Sequence, residues 1–120
     1  MGERLLHWKY ELDKQRRAIV LAALIEVCEY RKWALLAAHV RTFHVHSAVQ
    51  AVEKPEKILN AFKAYSSRHL NNAGIDPEGC KRWAHHGSTR YLWKPEDAEA
   101  IIHYILFEQG EPMEVYRGKL

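Results

Sequence analysis

The sequence predicts an α+β sandwich, with helices packed on one face of a mostly antiparallel sheet. Two strand-like runs, Trp33–Val40 and His44–Ala51, are joined by only Arg41, Thr42 and Phe43. So short a connection fits an antiparallel hairpin, not a parallel crossover. Segments of helical apolar periodicity stand before and after that hairpin. The order that results is helix, hairpin, helix, strand, helix.

Taken in turn, Leu5–Tyr10 offers a possible short opening strand. Residues 13–32 make the first helix: Asp13 is placed to cap it, and Val20, Leu24, Val27 and Cys28 form its stripe. From Ala18 to Ile25 the helix is apolar nearly all round, which predicts burial. After the hairpin, Pro55 opens a second helix that runs to about Asn72, with Gly74 as its stop. Ile58, Leu59, Phe62, Tyr65 and Leu70 share one face of it, and Lys57, Asn60, Ala64, Ser67, Arg68 and Asn71 the other. His69 falls along the apolar face and reads as a satisfied core histidine. Residues 75–87 read as a loop, Ser88–Trp93 as a strand, and Pro95 and Glu96 begin a last helix that Gly110 ends. The tail from Glu111 to Leu120 lacks periodicity and is expected to arm outward.

A chain of 120 residues is most simply one domain spanning 1–120, with a tail from about 111. Hydrophobic content of 48% and charged content of 28% are ordinary for a globular domain. Net charge is only +3, so nothing global demands a polyanionic partner. The distribution says more. No Asp or Glu occurs from Lys57 to Ile75 or from Gly79 to Pro95, and these stretches carry Lys57, Lys63, Arg68, Lys81, Arg82, Arg90 and Lys94. Such a zone suits phosphate contacts, and it equally fits a solvated positive face. Cys28 and Cys80 lack metal-type spacing and read as reduced thiols. With no apolar leader and no membrane-length run, the expectation is a soluble cytoplasmic protein with no membrane partner.

The chemistry concentrates in His44-Val45-His46. Strand side chains alternate faces, so the two histidines point the same way, roughly 6.6 Å apart along the backbone. Val45 would turn to the other side and into a core, with Val49. His44, His46, Ala48 and Gln50 would line the open face. Tyr104 lies at the edge of the last helix's stripe of Ala98, Ile101, Ile102 and Ile105. Glu108 falls about 40° round that helix from Tyr104, and Gln109 about 140° away, so geometry favours Glu108 beside the tyrosine. Two imidazoles and a carboxylate or amide oxygen, with open positions left, suit a divalent ion such as Mg²⁺ or Mn²⁺ that also takes substrate oxygens. A tyrosine hydroxyl, with a pKa of about 10, becomes a useful nucleophile only where a cation favours the phenolate. Each part also has a plain reading: an incidental histidine pair, a packing tyrosine, a solvated glutamate.

The run from Trp33 through His46, the helix Pro55–Asn71, the segment from Trp83 to Trp93 and the tyrosine helix to Gln109 together resemble the single-tyrosine HUH transposases. These are the enzymes of insertion sequences that move as single-stranded DNA, the REP-associated tyrosine transposases among them. The resemblance covers about residues 13–113. It implies a ferredoxin-like or RRM-like sandwich with the HUH site on the sheet face opposite the helices. It also implies that His44 and His46 bind a divalent metal, that Tyr104 is the nucleophile, and that Glu108 supplies a third ligand. The reaction implied is cleavage and rejoining of single-stranded DNA through a 5′-phosphotyrosine, on hairpin-containing DNA, by a homodimer whose tyrosine helix acts in trans. Arg41, Lys63, Arg68, Arg90 and Lys94 are candidate phosphate contacts, and Trp83, Tyr91 and Trp93 candidates for stacking on bases. Two departures stand out: Phe43 occupies the place where the family usually has Asn, and Met1–Tyr10 offers a weak first strand. They keep open a domesticated, non-catalytic module that binds single-stranded nucleic acid. A third reading is a structural metal protein.

Overall fold

The computed structural model describes residues 10–83 and 96–118. The first helix, α1 (Lys14–Arg31), opens at Asp13, whose carboxylate accepts the Arg16 backbone N–H at 2.9 Å. One of the donors that a helix start leaves unpaired is thereby filled. The helix closes at Lys32, which takes the left-handed conformation (φ 61°) and turns its N–H onto the carbonyls of Cys28 and Glu29. Trp33 follows into the core, edge-on to Phe62 with ring centroids 6.5 Å apart. Within the apolar stretch of α1, Val20, Ala23 and Leu24 are buried while Ala18 and Ala22 are exposed. That helix has a solvent side after all.

Strands β1 (Ala34–Val40) and β2 (Val45–Gln50) form the expected hairpin, and α2 (Pro55–Ala73) ends at Gly74 in the left-handed region. Next come α3 (Glu96–Phe107) and β3 (Glu114–Arg117). The fold is thus α+β, with a three-stranded antiparallel sheet in the order β2-β1-β3. The readings of Leu5–Tyr10 and Ser88–Trp93 as strands lie outside the described residues, except that Tyr10 is described and is not in a strand. Among the described residues, no helix is long and apolar enough to cross a membrane.

The tail does not arm outward. Glu114–Arg117 pairs with β1, setting Val40 opposite Glu114 and Ala37 opposite Arg117, and Gly118 donates to the Leu36 carbonyl at 2.9 Å. The free edge of β1 needs backbone partners whatever their side chains, so a four-residue strand can form without apolar periodicity. Tyr116 gives it a packing anchor.

Side chains divide the core by face. Leu35, Ala38 and Val40 of β1, with Val49 of β2, pack against Val20, Leu24 and Val27 of α1 and Phe62 and Leu70 of α2. Leu36, Ala37 and Ala48 pack on the opposite side against Ile102, Ile105 and Leu106 of α3. A break in register between Leu35 and Ala37 lets two successive residues serve the α3 side. Helices α1 and α2 therefore cover one face as the sequence predicts, and α3 lies on the other, the face of the histidines. His69 is half-buried between α1 and α2, where its Nε2 meets Glu26 Oε2 at 2.9 Å.

Candidate functional site

Hairpin register builds the first half of the site. His39 lies opposite His46 and Val40 opposite Val45, and the turn is closed by the Arg41 N–H on the His44 carbonyl at 2.8 Å. Partners directly across a ladder share a face, so His46 stands on the same side as His39 and Ala48, the α3 side. His44, just outside β2, brings its ring to 6.1 Å from that of His46, with planes tilted by 38°. The rings stand about as far apart as the strand spacing of their residues. Val49 joins the α1–α2 core as expected, but Val45 is left exposed at the hairpin end, where no helix reaches over it.

Burial pushes the His46 imidazole below its ordinary pKa, helped by the nearby His44, His39 and Arg41. His46 is therefore neutral at pH 7, the form in which an imidazole ligates a metal. The His44 and His46 rings share a face with centroids 6.1 Å apart, and metal–nitrogen bonds are about 2.1 Å long. His44 and His46 are the residues that could hold a divalent cation here.

The second half, α3, is held by Ile102, Ile105 and Leu106, with Ala98 and Ile101 at the margin. Tyr104 lies roughly 130° round the helix from the middle of that buried side, and it is 43% exposed. Its hydroxyl makes no hydrogen bond among the described residues. It thus points outward rather than down onto the sheet of its own chain.

Glu108 pairs with a neighbour on α3: its Oε2 lies 2.9 Å from His103 Nδ1, and the His103 ring lies 5.0 Å from Phe107. The helix ends at Phe107, before the Gly110 that the sequence marks as its stop, and the Glu108 N–H still reaches the Tyr104 carbonyl at 3.0 Å. Gln109 directs its amide to the Tyr104 carbonyl at 3.5 Å. Among the described residues, no group of three or more His, Cys, Asp or Glu side chains is placed to hold a metal.

The basic candidates fare differently from one another. Arg41 is engaged within the fold, donating to the Glu111 carbonyl at 2.8 Å and lying 3.3 Å from His39 Nε2. Arg68 is exposed, with its guanidinium carbon 5.0 Å from the Tyr65 ring centroid, and Lys63 is half-buried on the same helix. Arg90 and Lys94 lie outside the described residues, as do Tyr91 and Trp93. Trp83 is half-buried against the α1–α2 core and its indole N–H donates to Ser67 Oγ at 2.8 Å, so packing accounts for it.

Sequence reasoning missed two arrangements. His39 is fully buried between β1 and the end of α3. Asp76, in what reads as plain loop, accepts from Tyr10 at 2.6 Å, Arg16 at 2.9 Å and Arg82 at 3.0 Å. Arg82 is thereby withdrawn from the basic zone, its side chain only 6% exposed. Tyr10 and Arg16 stand sixty or more residues from Asp76, and Ile105 and Met113 more than sixty from His39, so these pairings have no signature in spacing.

Comparison with known proteins finds no family model, no curated protein and no solved structure that the chain matches.

Proposed function

We propose that this chain is a single-tyrosine HUH transposase that cleaves and rejoins single-stranded DNA. The observation that supports the reading is that the His44 and His46 rings lie 6.1 Å apart on the sheet face against which the Tyr104 helix packs. In the reaction, Tyr104 Oη attacks a backbone phosphorus. A tyrosyl O–P bond forms, the P–O3′ bond breaks, and the phenol's proton is passed through solvent to the departing 3′ oxygen. The products are a 5′-phosphotyrosine and a free 3′-OH, and reversal on another 3′-OH transfers the strand. Bond number is conserved throughout, so no nucleotide cofactor is consumed. His44 and His46 would hold a divalent cation such as Mg²⁺ or Mn²⁺, which supplies charge for the phosphate oxygens and for the phenolate.

Tyr104 faces away from its own sheet, which favours a homodimer in which each tyrosine helix serves the histidine pair of the second copy. Lys63 and Arg68 on α2, with Arg90 and Lys94, are proposed to follow the backbone of hairpin-containing DNA, in a cytoplasmic setting. The pairing of Glu108 with His103 favours a second reading, a domesticated relative that binds single-stranded nucleic acid without cutting it.

Incubation with labelled hairpin oligonucleotides and Mg²⁺ or Mn²⁺ separates the two. The transposase reading expects a denaturation-resistant protein–DNA adduct that is lost in Tyr104→Phe and in His44→Ala. Salt-sensitive binding with no adduct under any condition would instead establish the non-catalytic module.

A further inference from the structure

We propose that His39, buttressed by Arg41, is a positioning residue that fixes the Tyr104 helix on the histidine-bearing sheet. The inference rests on the reading of Tyr104 as the nucleophile. His39 is 0% exposed, sits on the central strand, and faces His46 directly across the ladder. Its Nδ1 lies 3.1 Å from the Ile105 carbonyl oxygen, and its Nε2 accepts the Met113 N–H at 3.0 Å. An Nε2 that accepts leaves the proton on Nδ1, so one neutral tautomer donates to Ile105 and receives from Met113. Burial also lowers the pKa of this imidazole.

The two partners matter because of where they lie. Ile105 directly follows Tyr104, and its carbonyl is among the last four of α3, which a helix leaves without an internal partner. Met113 is the residue before β3. Arg41, two positions along from His39, donates to the Glu111 carbonyl at 2.8 Å. The chain crosses its guanidinium at Gly110, where φ is 89° and an added Cβ would lie 3.3 Å from the Arg41 nitrogen. One strand end thus holds the last turn of the tyrosine helix and the whole connection from 110 to 113.

An apolar residue would fill the space on β1 if packing were the only task, as Ala37 does on the same face. A buried imidazole is costly unless both nitrogens are used, and both are used on the segment that carries the tyrosine. Contacts among Leu36, Ala48, Ile102 and Ile105 are non-directional and allow a helix to slide or turn. Two directed hydrogen bonds remove that freedom and set the bearing of Tyr104. Catalysis is sensitive to this, since a misplacement of about 1 Å can cost roughly 100-fold in rate.

The test uses the full chain with His39→Leu, which removes both bonds, and His39→Asn, whose amide nitrogen can stand in for Nδ1. Melting, affinity for a single-stranded hairpin oligonucleotide, single-turnover adduct rate and amide exchange are measured on each. In His39→Leu we expect unchanged affinity, an adduct rate lower by about tenfold or more, and faster exchange over 104–113 but not over 14–31. His39→Asn should regain part of the rate. If His39→Leu fails to fold, His39→Asn carries the test, with a rate between wild type and background expected. A wild-type adduct rate in a folded variant lacking the bonds overturns the proposal, as does a rate loss that merely follows lost affinity. A wild-type protein that forms no adduct sinks the transposase reading instead. Exchange then decides alone, and unchanged protection over 104–113 in His39→Leu overturns the clamp too.

Discussion

Replacing Asp76 by Asn tests the buried network that joins the start of α1 to the segment after α2. The Asp76 side chain is only 3% exposed and those of Arg82 and Arg16 are 6% and 19% exposed. One carboxylate oxygen serves Arg16, and the other serves both Tyr10 and Arg82. An amide can replace only one of those oxygens. Its NH₂ would confront N–H or O–H donors, and two guanidinium groups would lose their counter-charge. Breaking a buried ion pair from one side costs about 3–5 kcal/mol. Arg16 keeps Asp13 and the Ile75 carbonyl, and Arg82 keeps Asn71, so the lower end applies, about 3 kcal/mol. For a domain of this size that is a fall in Tm of about 10 °C.

The effect should depend on pH in a fixed direction. Burial alone would raise the Asp76 pKa, but hydrogen bonds from Tyr10, Arg16 and Arg82 outweigh it and hold the carboxyl below its ordinary value. A group depressed in the folded state stabilises fully above its unfolded pKa, about 3.9 for Asp. The contribution is lost as pH falls through the folded value. Urea melts followed by circular dichroism should therefore give the full difference between wild type and Asp76→Asn at pH 7, and a shrinking one below about pH 4. A difference under about 1 kcal/mol at pH 7, or one that does not shrink in acid, would refute the reasoning.

Other perturbations probe other parts of the fold. A Cβ on Gly118 would overlap the Leu35 carbonyl oxygen, so Gly118→Ala should cost about 2 kcal/mol in a urea melt and loosen amide exchange in 114–117. Lys32 holds a left-handed conformation that glycine adopts freely, so Lys32→Gly should raise stability by about 0.5–1 kcal/mol by the same melts. Burial pushes the Cys28 thiol up to about 12, so iodoacetamide with peptide mass spectrometry should label Cys80 in the native protein and leave Cys28 unmodified. Arg68→Ala should flatten the salt dependence of single-stranded DNA binding by about 0.7 in log–log slope. Arg41→Ala should leave that slope unchanged and lower Tm, because Arg41 is spent on Glu111 and His39.

What the sequence reveals and what it hides divide along physical lines. Asp13, Pro55 and Gly74 mark their helix ends through local backbone chemistry, and the short hairpin turn with period-two alternation sets His46, Ala48 and Val49 on their proper faces. Strand β3 was hidden because an edge strand is specified by the open ladder of β1, a partner more than seventy residues away in the chain. The pairing of Glu108 with His103 was not legible, because a 100° step orders positions along the helix and does not set where a side chain just past Phe107 turns. Asp76 and His39 draw most of their partners from sixty or more positions away, for which neither periodicity nor spacing leaves a trace.

The central claim is that Tyr104 forms the bond to DNA. The most direct measurement is peptide mass spectrometry of the denatured, nuclease-trimmed product from protein, hairpin oligonucleotide and Mn²⁺. The account predicts a 5′-phosphonucleotide on Tyr104, absent when His44 and His46 are both changed to alanine. A nucleotide bound instead at Tyr30, Tyr65 or Tyr116, or no modified tyrosine with an oligonucleotide that the protein demonstrably binds, would contradict it.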